Sequence, residues 1–447
     1  MPNPYLTNCE HIPDGEPRVF GDRVYIYGSH DFPASAEFCD NALKVWSASV
    51  DNLEEWICHG VVFSTKDIRG HKTDTDWTEG KLFAPDVVCK DGKYYLYAYI
   101  EGAKGCVAVS DKPEGPFTLI STYKYNIPNH RDGGIFIDPG VLVDDDGRVY
   151  IYCGYLKSYM AEINPDNMYE IIDGSYKEDI IPEEEPFAFF EACSPRKIGD
   201  TYYLIYSSKR CPQLVYATSK SPTGPFEYKG IIVDSGVDFP GGNDHGSIMK
   251  IKDQWYIFYH KMTNGSIMSR LGCVEKINIL PDGTIEQAEM TSLGFSESLN
   301  PYKPVNMQTA CVMTNGAVIT EKNIFEQYIT NIKHGCIMGW KYFDFGTNSG
   351  SDMEIVLQIE SCYLNGNISV YIDGQDEEHG GTKVAVVPFN HGDTIIKGNI
   401  EIDGQNLRSL QGRHSIFLKA EYNYVGWGAD YFKERNLFDL KSFVFVM

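Results

Sequence analysis

Gly21-Asp-Arg-Val-Tyr-Ile-Tyr27 is the first of five copies of one pattern. The others are Asp91-Gly-Lys-Tyr-Tyr-Leu-Tyr97, Asp146-Gly-Arg-Val-Tyr-Ile-Tyr152, Gly199-Asp-Thr-Tyr-Tyr-Leu-Ile205 and Lys252-Asp-Gln-Trp-Tyr-Ile-Phe258. Each joins a tight polar turn to a strand rich in aromatic and β-branched residues. Aligning Tyr25, Tyr95, Tyr150, Tyr203 and Tyr256 gives spacings of 70, 55, 53 and 53 residues. A period of that length, made of short strands, predicts the blades of a five-bladed β-propeller rather than a helical solenoid. A second repeat agrees. Ala108-Val-Ser-Asp-Lys-Pro-Glu-Gly-Pro-Phe117 matches Ala217-Thr-Ser-Lys-Ser-Pro-Thr-Gly-Pro-Phe226 at a separation of 109, about two blades. Its Pro and Gly cannot sit in a central strand, so they mark the turn to an outer strand.

Upstream of the aligned tyrosines lie carboxylates in phase with the repeat. Asp14, Asp86, Asp138 and Glu191 each fall 9 to 12 residues before their tyrosine, and His245 of Asp244-His245-Gly246 falls 11 before Tyr256. That distance is one strand plus one turn. The first strand of each blade lines the axis, so residues at its mouth converge from distant parts of the chain. A single acid before a strand is ordinarily a solvated turn residue; four in phase predict a carboxylate cluster at one end of the channel.

The whole chain has 447 residues, enough for two domains. The fold class expected is all-β: a propeller over residues 1–295, a linker over 296–305, and a β-sandwich of jelly-roll type over 306–447. The sandwich rests on alternating segments such as Met353-Glu-Ile-Val-Leu-Gln-Ile359, Asn367-Ile-Ser-Val-Tyr-Ile372 and Ser415-Ile-Phe-Leu-Lys-Ala420. The third blade is expected to open at Gly133, and Asp144-Asp-Asp-Gly147 reads as a hairpin turn because it lacks the spaced ligands of a calcium loop. A net charge of −23 argues against a nucleic-acid partner. No apolar run approaches a membrane span. The twelve cysteines show neither a CxxC pair nor a zinc spacing. With no signal-like N-terminus, they are expected to be reduced thiols of a cytoplasmic protein.

Two converging carboxyls with different surroundings are what glycosidic cleavage needs, one protonated and one ionised. Glu191 follows Phe187-Ala-Phe-Phe190, an apolar setting that suits the acid; Asp14 lies near Gly15, Glu16 and Arg18, which suits the base. At Ile12-Pro-Asp-Gly-Glu-Pro17, Ala84-Pro-Asp-Val-Val88, Phe190-Glu-Ala-Cys-Ser194 and Asn243-Asp-His-Gly-Ser-Ile248 the sequence resembles glycoside hydrolase family 43, over roughly residues 3 to 295. The resemblance implies inversion at the anomeric carbon. It implies Asp14 as general base, Glu191 as general acid and Asp86 as the group that tunes and orients the acid. His245 would sit on the axis against sugar, a water or a calcium ion, and Arg270 would contact a substrate hydroxyl. Asp138 is expected to be structural or to line a subsite. No cofactor is implied beyond a structural calcium.

Residues 329–345, with Gly380-Gly-Thr-Lys383 and Leu440-Lys-Ser-Phe443, resemble a family 6 carbohydrate-binding module. Trp427 or Tyr424 would then stack on sugar; the alternatives are a sandwich that shapes the active-site rim or makes a homo-oligomer contact. The leading expectation is an inverting exo-enzyme that releases xylose or L-arabinose from oligosaccharides. A fructan hydrolase shares the architecture, but its Asn-Asp-Pro-Asn start is replaced here by Pro13-Asp-Gly-Glu16. A non-catalytic sugar-binding propeller is disfavoured by the complete set of carboxylates.

Overall fold

A computed structural model describes residues 1–6, 10–102, 105–122, 136–347, 352–402 and 409–447. The expected opening of the third blade at Gly133 lies outside the described residues. The first two-thirds of the chain forms five antiparallel sheets in sequence order, four of four strands and one of three. Their inner strands are Glu16–Phe20, Leu82–Lys90, Gly140–Val143, Phe189–Ile198 and Ser247–Ile251. Neighbouring inner strands touch around a ring, so these are the blades of a five-bladed propeller.

The repeated aromatic stretch is the second strand of every blade, and the structure gives its tyrosines a task. Tyr27 Oη donates to Pro113 O, Tyr97 Oη to Met168 O and Tyr152 Oη to Pro222 O. Each bond runs from one blade to the next. The ring fills the space between two sheets while its hydroxyl satisfies a carbonyl of the neighbour, which an aliphatic residue cannot do. Asp144–Gly147 forms the hairpin turn expected of it.

The ring is closed by the start of the chain. The three strands of blade V end in Ser266–Ile277. Alongside them Tyr5 N donates to Gly272 O, Val274 N to Asn3 Oδ1, and Asn3 Nδ2 to Val274 O. Glu275, buried beneath, accepts from Asn3 Nδ2, Thr291 N and Thr291 Oγ1.

From Val312 onward two five-stranded antiparallel sheets pack face to face as a β-sandwich. Trp340, Phe343, Phe443 and Phe445 fill its core. The segment expected to be a linker, 296–305, is packed rather than free. Leu299 bridges to Phe343, and Val305 N donates to Phe443 O. The seam to the propeller is hydrogen-bonded as well. Lys261 Nζ, buried, donates to Gln308 O and Ala310 O, and Asn264 N donates to Ile319 O.

Candidate active site

One mouth of the axial channel opens into a cavity of about 360 Å³. Asp14, Asp138, Glu191, His245, Asn243 and Arg270 supply its polar groups. Phe38, Phe83, Tyr155, Phe190 and Ile267 wall it. Asp14 and Asp138 stand just before the inner strands of blades I and III. Both hold left-handed backbone, φ 56° and 50°, uncommon for residues other than glycine and recurrent at functional sites. Glu191 sits within the inner strand of blade IV, where irregular pairing to the next strand re-aims side chains.

Asp14 is held on three sides. Ser29 Oγ donates to its Oδ2 at 2.5 Å and Arg270 Nη1 to its Oδ1 at 2.8 Å. Asp14 N donates to His260 Nδ1 at 3.4 Å. Burial alone would raise its pKa. The charge of Arg270, the two neighbouring histidines and the Ser29 hydroxyl outweigh burial and hold the carboxyl below its usual range. Arg270 is itself fixed by a buried carboxylate, Asp31, which accepts from Nε at 2.7 Å and Nη2 at 2.9 Å. His260 is fully buried, and its pKa is pushed down to about 3 by burial and then by Arg270, so the ring is neutral and can accept from Asp14 N.

Glu191 is the opposite case. Burial, then the charge of Asp14, raises its pKa to about 7. Arg270 and a hydrogen bond with Asn243 pull against that rise. Asp138 lies close enough to feel the same repulsion, and burial with Glu191 and Asp14 raises it well above a normal carboxylate. His245 Nδ1 is 3.8 Å from Asp14 Oδ1 and 4.0 Å from Asp138 Oδ2, and burial lowers its pKa. Asp14 is thus held toward its ionised form and Glu191 toward its protonated form, in a single cavity.

Four of the five expected site residues, Asp14, Glu191, His245 and Arg270, meet in this cavity. Asp86 does not. Its carboxylate takes a two-pronged contact from Arg18, Nε to Oδ1 at 3.0 Å and Nη2 to Oδ2 at 2.6 Å, and accepts from Val141 N at 2.7 Å. With Glu16 and Arg196 it forms a buried ion network that ties the inner strands together below the mouth. The carboxyl beside Glu191 is Asp138. The offset from the aligned tyrosine carried this distinction: Asp14, Asp138, Glu191 and His245 stand 11 or 12 residues before it, Asp86 only 9. Two or three residues along a strand carry a side chain roughly 7–10 Å deeper. Ser29, Asp31, Asn243 and His260 were missed as site residues because none lies in phase among the inner-strand carboxylates. Gly28-Ser-His-Asp31 at the end of a blade's second strand was the available signal.

The expected calcium is not matched by a cluster of acidic or other ligating side chains among the described residues. Calcium takes six to eight oxygen ligands at about 2.3–2.6 Å. Among the described residues no three His, Cys, Asp or Glu side chains are grouped to hold a metal. On the axis Asp14 Oδ1 is already bonded to Arg270. No step below is routed through a metal.

A propeller whose axial mouth holds an ionised and a protonated carboxyl has the make-up of a glycoside hydrolase. Residues 3–285 match the model of glycosyl hydrolases family 43, and the chain belongs to that family. A protein named xylosidase/arabinosidase from Thermoclostridium stercorarium is 39% identical over 76% of this chain and 82% of its own length. An arabinoxylan arabinofuranohydrolase from Bacillus subtilis is 28% identical over 84% of both. Among solved structures, a family 43 arabinoxylan arabinofuranohydrolase from Bacillus subtilis aligns with 100% of this chain and 97% of its own at a TM-score of 0.55. At 24% identity that is a likeness of fold. A family 43 β-xylosidase/α-arabinofuranosidase from a compost metagenome, solved with xylotriose, covers 64% of this chain and 98% of its own at 29% identity and a TM-score of 0.53.

Proposed function

We propose that this chain is an inverting, exo-acting glycosidase that releases xylose or L-arabinose from oligosaccharides. Asp14 takes a proton from the attacking water. Glu191 gives its proton to the departing glycosidic oxygen. Asp138, not Asp86, shares the pocket with Glu191; burial and the charges around it favour its own neutral form, and it is the charge of Asp14 that helps keep Glu191 protonated. Arg270 holds Asp14 ionised and presents its remaining face to the sugar. His245, neutral on the axis, offers a hydrogen bond beneath the ring. Two carboxyls and a water complete the chemistry. The observation that carries this reading is the opposite displacement of Asp14 and Glu191 within one cavity. The pentose is supported by the relatives' names, xylosidase/arabinosidase and arabinoxylan arabinofuranohydrolase.

The test is incubation with 4-nitrophenyl β-xyloside and α-L-arabinofuranoside, with Glu191→Ala as control, and proton NMR of the first product formed. Release lost in the control, with inverted configuration, is expected. Retained configuration would return weight to the fructan-hydrolase chemistry, and silence on aryl and oligosaccharide substrates alike would reject the hydrolase.

We further propose that the sandwich holds sugar at a hollow of about 480 Å³ away from the axis. Tyr363 and Tyr424, exposed, offer ring faces there, and Asn365, Asn367, Asn390 and Asn423 offer amides. That combination suits a neutral polyhydroxy ligand. Loss of xylan retention on affinity gels in Tyr363→Ala would support it. A reducing compartment is proposed for the protein, supported by the buried free thiols Cys39, Cys106, Cys153, Cys193, Cys273, Cys311 and Cys336.

A further inference from the structure

The catalytic cavity has a neighbour. A groove of about 220 Å³ runs along the seam between blade V and the sandwich, and Ile267 belongs to both. Its propeller side is Pro240, Gly241, Met262 and Ser266; its sandwich side is Met313, Gly316 and Val318. Ile267 is half-exposed between the two spaces, a low wall rather than a partition.

The groove also connects by a short run of chain to the wall that carries Glu191. Asn243, which lines the catalytic cavity together with Glu191, is two residues from Gly241 in the groove wall. The short run Pro240–Asn243 therefore leads from the groove to the proton donor. Gly242 makes that run fit: a Cβ there would sit 2.5 Å from Met262 Cε and 2.9 Å from Ile267 Cγ2. A side chain at this point would push into the passage.

The far wall is rigidly placed. Met313 N donates to Asp238 O at 2.6 Å, and Glu321 N to Asn264 Oδ1 at 3.0 Å. Together with the Lys261 bonds they fix the sandwich edge against blade V, so the groove is pre-formed rather than a gap between mobile units.

Resting on the hydrolase reading above, we propose that this groove is the subsite for the sugar on the leaving-group side, and that the sandwich is thereby part of the active site. Its occupant is one further sugar residue of a pentose oligosaccharide, seated over Ile267 with its apolar face against Met262 and Val318. The volume is below that of a site for a drug-sized ligand and suits about one ring. The substrate class is an oligosaccharide whose next residue touches both domains, not a simple alkyl or aryl pentoside.

Val318→Trp fills the groove from the sandwich and Ser266→Phe from the propeller; neither residue touches the carboxylates. Both are measured on a pentose oligosaccharide and on the corresponding pentosyl fluoride, whose leaving group is a single atom and does not reach the groove. Each variant's melting temperature is recorded. The expected result is that the ratio of kcat/KM, oligosaccharide over fluoride, falls about tenfold or more in both, chiefly through KM. An unchanged ratio in two folded variants overturns the proposal, as does an equal loss on both substrates. A wild type inactive on both substrates overturns the hydrolase reading instead, which separates the two failures.

Discussion

Replacing Glu191 by glutamine keeps the shape of the side chain and removes its proton, and two independent consequences follow. Burial and Asp14 hold this carboxyl at about 7 against 4.5 for an unperturbed glutamate. At 1.36 kcal/mol per unit, the ionised side chain costs the folded state on the order of 3 kcal/mol. The unfolded chain releases the proton near 4.5 and the folded chain only near 7, so stability falls as pH rises through that window. Glu191→Gln should therefore match the wild type at about pH 4.5 and exceed it by up to about 3 kcal/mol at about pH 8. Over the same substitution, kcat/KM on an oligosaccharide should fall about 10²–10⁴-fold, the usual worth of a general acid. A dinitrophenyl glycoside, whose leaving group needs no proton, should lose less than about tenfold. Calorimetric melting at the two pH values and initial rates on the two substrates read both effects. A stability gain equal at both pH values would refute the raised pKa, and an equal loss on both substrates would refute the acid.

Asp14→Ala should lose about 10²–10⁴-fold on every substrate whatever its leaving group, since the base acts on water; initial rates on the same pair of substrates check it. The wild-type pH profile of kcat/KM should show its alkaline limb near pH 7 from Glu191 and an acidic limb below the ordinary aspartate range, because Asp14 is held ionised. Asp86→Asn should cost roughly 3 kcal/mol in denaturant unfolding by breaking the buried pair with Arg18, and leave the alkaline limb where it is. Tyr152→Phe, which strips Pro222 O of its donor across a blade boundary, should cost about 1–3 kcal/mol in the same assay without altering KM.

The propeller was legible because its repeat does structural work: in three of the five copies Tyr27, Tyr97 and Tyr152 are seen in the sequence as a pattern and in the structure as bonds between blades. The carboxylate cluster was legible for the same reason, being in phase. What phase alone did not separate was depth along the strand, so Asp86 was read as a pocket residue when it belongs to the ion network beneath. The supports of Asp14 were not legible. Asp31, just beyond the second strand of blade I, acts through Arg270 of blade V, and His260 comes from the second strand of blade V, so only the closing of the ring brings Arg270 and His260 to Asp14. The segment 296–305 reads as a linker by composition, since Ser, Asn and Pro do not reveal that Leu299 and Val305 are pinned by backbone hydrogen bonds to the sandwich.

The closure of the ring by residues 3–5 also sets a clock. Asn3 and Tyr5 pair with backbone near residue 272, and Asn3 N donates to Ser292 O. Asp14, Arg270 and His260 cannot be brought together before that partner exists. At synthesis rates of about 5–20 residues per second, the first strand waits on the order of 15–60 s for it. Through that interval the earliest part of the chain has its inner edge open, and Ile12, Val24 and Ile26, fully buried in the finished protein, have only part of their cover. Asp14, the proposed base, is thus made well before Arg270 and His260, the residues that hold it, and takes its final place only when they arrive.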